Sequence, residues 1–424
     1  MTRNGSAEPH ERTRLLGHEP DYREAISAAE APWLKDTRIW VRWPLQTVHL
    51  TWATLISNYV NVLLIFVPFG IVAGALQWNP APVFVLNFFA IIPLASLLSF
   101  ATEELAATMG QTLGGLMNAT FGNAVELIVS IIALKDHEIR VVQASMLGSI
   151  LSNILLVLGC CFLAGGLRYH EQRFNSTGAS TMSSLMAVAS ASLIIPATLF
   201  AALSNSHGSD PVKTQHNILL LSHGTAIILL ILYLMYLYFQ LRSHSDFFED
   251  SGNAERQEAE EEEEDHLLNP FAAGVVLVVV TILVAICAEY LVGSIEGIVE
   301  KTGMSKTFIG LVLIPIVGNA AEHVTAVLVA YKNKMDLAIS VAIGSSLQIA
   351  LFVTPFLVIL GWILGEEMTL RFQTFETVTF FISGLVVTLL IQDGKSNYLE
   401  GGLCLGMYII LAIAFYVYPD DVAV

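Results

Sequence analysis

Glu126 and Glu322 carry the clearest chemical signal in this sequence, because each stands alone in the middle of a long apolar run. An ionised carboxylate at the centre of a membrane helix costs about 2.5–3.5 kcal/mol or more, so such residues face a cavity or a bundle interior and are functional candidates by default. Their neighbours are oxygen donors. Asn123 and Glu126 are three apart on one helical face, as are Asn319 and Glu322. Gly122 and Gly318 lie one turn back, where a missing side chain permits close helix approach and unwinding that frees carbonyls. Ser149 and Ser152 follow on the next apolar segment of one half, and Ser345 and Gln348 on that of the other. Two carboxylates with amide, hydroxyl and carbonyl oxygens describe a site for a hard cation. Ca²⁺ suits it better than Mg²⁺, which sheds water reluctantly, and Mn²⁺ fits the same oxygens. The plainer alternative is a pair of protonated, hydrogen-bonded structural glutamates; the symmetry between the two argues against separate accidents. His323 follows Glu322 and either tunes it or packs against a neighbouring helix.

That symmetry is an internal repeat. Gly122-Asn123-Ala124-Val125-Glu126 recurs as Gly318-Asn319-Ala320-Ala321-Glu322, an offset of 196 residues, and Gly148-Ser149 recurs as Gly344-Ser345 at the same offset. Gly114 pairs with Gly310, and Glu104 with Glu300, in the same register. One shared pentapeptide is weak evidence; a register held across a long loop signals duplication.

The elements that position these residues must lie in lipid. Only 13% of the 424 residues are charged and 54% are hydrophobic, whereas soluble domains carry roughly 25% charged residues. Cys160, Cys161, Cys287 and Cys404 lie in apolar runs without metal-type spacing and are read as packing residues. The net charge of −17 argues against a nucleic-acid partner. Apolar runs of membrane-crossing length occur at about 52–74, 82–102, 113–134, 141–165, 181–204, 217–240, 271–293, 307–330, 337–364, 374–391 and 400–418. The fold expected is therefore an all-α membrane protein of about 11 transmembrane helices: one N-terminal helix plus two inverted five-helix repeats. Five helices per unit is odd, so the second unit enters the membrane upside down, an architecture of transporters with sites at the repeat interface. The organisation predicted is a cytosolic tail over 1–51, an extra helix at 52–74, repeats at 82–240 and 271–418, and an acidic cytosolic linker at 241–270.

Placing the N-terminus in the cytosol puts 14 of the 20 basic residues on that side and the C-terminus on the other. The linker holds eleven acidic residues between 246 and 265, among them Glu255, Glu258 and Glu262. It reads either as a solvated spacer or as a cation-collecting regulatory helix. Glu103 and Glu104 end the second span and are read as the cytosolic mouth of a cation path, with Glu300 at the opposite mouth, or as ordinary helix-end charges. Asn175-Ser176-Thr177 is a glycosylation sequon that this topology leaves in the cytosol. Glu11, Leu15 and Leu16 fit an acidic dileucine sorting signal for a cytosolic adaptor.

The two GNAxE motifs, each followed by a GS-containing helix, resemble the cation/proton exchanger branch of the Ca²⁺/cation antiporter superfamily, and fungal vacuolar Ca²⁺/H⁺ exchangers in particular. The resemblance covers about residues 50–420. It implies Ca²⁺/H⁺ exchange at a vacuole membrane, with Glu126 and Glu322 as alternating cation and proton ligands and Asn123, Asn319, Ser149, Ser345 and Gln348 lining the site. Sodium-coupled relatives carry proline beside the key carboxylate, where this chain has Ala124-Val125 and Ala320-Ala321. No enzymatic activity and no cofactor are expected, only transported Ca²⁺ (or Mn²⁺) and H⁺; a homo-oligomer is compatible with the sequence. The site is expected to be asymmetric, because Ser152 stands where the other repeat has Gln348. A sodium-driven or broader divalent-cation exchanger of the same fold is the alternative, and an ion channel a more distant one.

Overall fold

The computed structural model describes residues 59–109, 111–204, 210–243 and 270–419. The sorting residues Glu11, Leu15 and Leu16 and the linker residues Glu255, Glu258 and Glu262 lie outside the described residues.

Helix formation follows from the apolar runs. In lipid every backbone N–H and C=O must be satisfied within the segment, which a helix achieves. Among the described residues seven helices are long and apolar enough to cross a bilayer: α2 (Pro80–Thr108), α5 (Ile139–Arg168), α6 (Ser176–Leu203), α7 (Pro211–Ser243), α8 (Pro270–Thr302), α11 (Met335–Leu364) and α13 (Tyr398–Val417). Two more spans are broken pairs: α3 (Gln111–Phe121) with α4 (Ala124–Lys135), and α9 (Lys306–Gly318) with α10 (Ala320–Tyr331). Two shorter apolar helices are α1 (Val60–Ala75) and α12 (Thr374–Leu390). Together these fall on the eleven predicted segments, of which length and composition alone qualify nine. Among the described residues the only strands are β1 (Gln172–Arg173) and β2 (Lys395–Ser396), paired antiparallel in a loop clasp.

The broken pairs differ from the continuous runs expected at 113–134 and 307–330. They bend by 46° and 59°. The break falls on the repeated motif: Asn123 and Asn319 leave helical geometry, with ψ of 26° and 4°. Glycine before each asparagine tolerates the interruption. The glutamate of each motif therefore sits in the first turn of a new half-helix.

The halves interlock at the centre. α2 packs along α8, α4 packs on α8, and the repeat mate of α4, α10, packs on α2. The core is one continuous apolar cluster that runs through both repeats and includes Ile91, Leu94, Val129, Leu147, Leu291 and Leu347. Large apolar side chains are exposed on the periphery, such as Ile228, Val278, Phe381 and Ile413, as a lipid-facing surface requires. Of the four cysteines, Cys161, Cys287 and Cys404 are buried and none is bridged.

Candidate functional site

The two glutamates are held across the repeat boundary. A Cβ placed on Gly318 would lie 2.9 Å from Glu126 Oε1, and one placed on Gly122 would lie 3.7 Å from Glu322 Oε1. The glycine of each motif thus makes room for the carboxylate of the other. Sequence spacing placed each glycine near its own glutamate; the cross-repeat pairing is a tertiary fact that one strand of sequence does not show.

Glu126 is buried, and its Oε1 has no hydrogen-bond partner among the described residues. Glu322 is half-buried with Oε2 unpartnered, and it lies within electrostatic reach of Glu126, Ser345 and Glu103. Asn319 is 1% exposed, yet neither amide atom is paired. Each unpaired buried polar group costs about 1–3 kcal/mol. Such a concentration of unmatched oxygens around two carboxylates suits a cationic ligand, which would satisfy several at once. His323 is partly buried with Nε2 unpartnered.

The first-repeat asparagine is handled differently. Asn123 Nδ2 donates to Gln348 Oε1 at 2.5 Å, Ser345 Oγ donates to Asn123 Oδ1 at 3.0 Å, and Asn153 Nδ2 donates to Ser345 Oγ at 3.0 Å. This chain bridges the repeats and brings together Asn123, Ser345 and Gln348. On the other side Ser152 is too short to act as Gln348 does; its Oγ turns back to the Ser149 carbonyl at 3.3 Å. Asn153 was not singled out from sequence, because its repeat mate is Ile349 and symmetry gave no signal; a lone amide just before Ile-Leu-Leu-Val was the available one. Both helices change to π-helical winding at this level, over Ser152–Val157 and Ile349–Val353. π-turns recur at functional sites because they displace backbone groups from the ordinary ladder.

Glu103 is exposed and Glu104 half-buried near the end of α2, whereas Glu300 is exposed in the last turns of α8.

The two ends of the bundle are unlike. At the end carrying residues 136–138, α9 lies tight against α5: a Cβ on Gly148 would overlap the Leu311 backbone, and one on Gly310 would come within 2.8 Å of Ala144 Cβ. Polar links fasten this contact. Lys306 Nζ donates to Glu138 at 2.7 Å and to Glu296 at 3.3 Å, and Arg140 donates to Thr307 Oγ1 at 3.2 Å and to the fully buried Glu376. At the opposite end a Cβ on the repeat-related glycine, Gly344, would meet nothing within 4 Å among the described residues, and α3 instead leans on the end of α7 through Gly115 and Leu241. Their sequence equivalents of Glu138, Arg140, Lys306 and Thr307 are Lys334, Asp336, Gly110 and Gln111, which cannot form the same pairs. The protein is closed at one end and less tightly packed at the other.

A duplicated bundle of inverted halves, with paired carboxylates at its centre and one end closed, defines a secondary carrier. The chain belongs to the sodium/calcium exchanger protein family, whose profile matches residues 80–242 and 272–417. It is 48% identical over 97% of its length to the vacuolar calcium ion transporter of Schizosaccharomyces pombe, covering 94% of that protein. It is 45% identical over 84% of its length to the Ca²⁺/H⁺ antiporter of Aphanothece halophytica, covering 96% of it. The solved structure of native YfkE superposes with a TM-score of 0.71 at 37% identity, over 85% of this chain and all of that one. The H⁺/Ca²⁺ exchanger CAX, at 12% identity and a TM-score of 0.59 over 88% of this chain and 92% of that one, shares the fold.

Proposed function

We propose that the chain is a vacuolar Ca²⁺/H⁺ antiporter that moves Ca²⁺ from the cytosol into an acidic lumen by alternating access. The observation that carries this reading is the pair Glu126 and Glu322, brought from inverted repeats into one oxygen-rich layer. The vacuolar and Ca²⁺/H⁺ names of the relatives support it. Ca²⁺ binding needs both carboxylates ionised, and protonation neutralises them, so the two occupants exclude each other. A carrier that rocks only when loaded then couples the two flows. The stretches 82–240 and 271–418 act as the two rocking repeats. Asn123, Asn319, Ser149, Ser152, Ser345 and Gln348 supply the remaining oxygens.

With the N-terminus in the cytosol, the loosely packed end faces the cytosol and the closed end the lumen. In sealed vesicles, a pH gradient without Na⁺ should drive Ca²⁺ uptake that a protonophore abolishes. Uptake that appears only with a Na⁺ gradient would replace this reading with the sodium-driven one.

Glu103 and Glu104 form the cytosolic mouth in this arrangement. Neutralising both to Gln should raise the apparent KM for Ca²⁺ about two- to fivefold at low ionic strength, with maximal rate little changed, because surface charge acts on encounter and is screened by salt. An unchanged KM in low salt would remove them from the path.

Orientation has its own test. Asn175 Oδ1 accepts from Thr177 N at 3.0 Å and Gly178 N at 3.2 Å, capping α6, and its backbone N donates to Asp336 at 2.6 Å. Cytosolic placement leaves this sequon unmodified, so endoglycosidase treatment of protein from a eukaryotic host should not change its mobility. A mobility shift that Asn175→Gln removes would invert the topology.

A further inference from the structure

Lys306 is the first residue of α9, where the positive end of a helix disfavours a lysine. The turn is already capped by Ser305, whose Oγ accepts from Phe308 N at 3.0 Å. Helix formation therefore does not call for this ammonium; its partners do. Nζ donates to both oxygens of Glu138, at 2.7 and 3.0 Å, ahead of α5, and to Glu296 on α8. The next residue, Thr307, is fully buried and accepts from Arg140, whose guanidinium also reaches the buried Glu376. Glu376 is fixed by its own helix: its Oε2 accepts from Gln373 N at 3.0 Å at the start of α12. Glu376 thus holds the guanidinium against Thr307, and two adjacent residues of α9 are gripped from outside it.

The repeat mate of α9 is α3, and its sequence lacks these groups. The mates of Lys306 and Thr307 are Gly110 and Gln111, and those of Glu296 and Glu376 are Phe100 and Ser180. Cross-repeat bonds exist at that end too: Gln172 Nε2 donates to the Ala330 carbonyl at 2.9 Å, and Asn175 N to Asp336 at 2.6 Å. They join the loop after α5 to α10 and α11. Among the described residues no polar side-chain bond ties α3 to another element.

We propose that Lys306 with Glu138, and Thr307 with Arg140, form a one-sided latch on α9 that keeps the luminal door shut and makes the cytosol-open form the resting state of the carrier. The inference rests on the alternating-access reading and the topology above. To open the lumen, α9 must leave α5, on which it lies tight at Gly148 and Gly310. Leaving breaks the Lys306–Glu138 pair and takes Thr307 from Arg140. The reverse movement, α3 closing on α11, forms no such pair, because glycine and glutamine stand where Lys306 and Thr307 would be. The two states therefore differ in their ion pairs, and that difference biases their populations. A luminal door that opens seldom limits backflow of stored cation. Lys306, Glu138, Arg140 and Thr307 act as positioning residues for α9.

The test reads the door directly. Ser145 follows Ala144, the residue that Gly310 of α9 covers, and it lines a small cavity beside Glu126. It is 3% exposed, so a cysteine there reacts when the door opens. Ser145→Cys is made in the full-length protein, in vesicles that enclose a charged, membrane-impermeant methanethiosulfonate. With opening fast relative to labelling, the labelling rate follows the open population. Lys306→Gln and Glu138→Gln should each speed labelling about two- to fivefold, the factor for losing a partly exposed ion pair. The double variant should add little to either single one, because both remove the same pair. Lys306→Arg should keep labelling slow. Thr307→Val, which keeps the shape and loses the acceptor for Arg140, should speed it by at least about fivefold. Cys287 and Cys404, buried on α8 and α13, are internal standards whose labelling should not change. Unchanged labelling at position 145 in Lys306→Gln and Glu138→Gln, or acceleration that Cys287 and Cys404 share, would overturn the latch. Acceleration only with reagent outside the vesicles would overturn its luminal placement. Labelling needs no transport, so failure of the antiport reading shows itself separately, as wild-type protein without H⁺-driven uptake.

Discussion

Glutamine in place of either Glu126 or Glu322 should abolish both H⁺-driven Ca²⁺ uptake and Ca²⁺/Ca²⁺ self-exchange, each by at least about a hundredfold, the scale for removing an essential proton-transferring group. Glutamine keeps the shape that Gly318 and Gly122 accommodate across the repeat boundary, but it removes the charge that binds Ca²⁺ and the oxygen that takes the proton. Folding should survive. Ionised carboxylates are costly to bury, and both side chains have an oxygen with no partner among the described residues. A neutral amide relieves the charge cost, so the thermal unfolding midpoint in detergent should stay level or rise. Substantial self-exchange by Glu126→Gln would show that Ca²⁺ does not need that carboxylate, and the shared-site mechanism would fall.

Much of this site is legible in the sequence because lipid imposes simple rules. A lone carboxylate in an apolar run is costly, and two at one repeat register are hard to explain as accidents. The eleven apolar segments follow from the same rule. Three features were not legible, each for a physical reason. The cross-repeat pairing of glycine with glutamate depends on how two half-helices meet. The breaks at Asn123 and Asn319 arise from backbone geometry that hydropathy does not report, since both flanks are apolar. The ion pairs of Lys306 with Glu138 and of Arg140 with Glu376 join residues 168 and 236 positions apart at the closed end. In sequence these are ordinary charges near helix ends, and nothing there distinguishes the half-buried Lys306 from an exposed lysine. Asn153 escaped for another reason: symmetry revealed the site, and this residue lies where the repeats disagree.

That disagreement also predicts how the carrier stalls. Gly148 and Gly344 are the same residue of the repeat, but a Cβ on Gly148 would strike the Leu311 backbone while one on Gly344 would meet no neighbouring element within 4 Å among the described residues. Exchanging the roles of the two halves, as alternating access requires, would press Gly344 on the repeat mate of Leu311, which is Gly115, and free Gly148. Gly344→Ala should therefore be harmless in the present conformation and obstructive in the opposite one. Overpacking of a close contact costs about 1–3 kcal/mol, which lowers the population of the opposite state by roughly ten- to a hundredfold. The expected result is a protein with a wild-type or higher unfolding midpoint and exchange slowed by about that factor. Gly148→Ala should do the reverse, lowering the midpoint because it strikes the contact already formed. Two alanine substitutions at one repeat position would then both slow transport while moving stability in opposite directions. Transport at the wild-type rate by Gly344→Ala would mean that α11 and α3 never close on each other, and the exchange of roles between the halves would have to be abandoned.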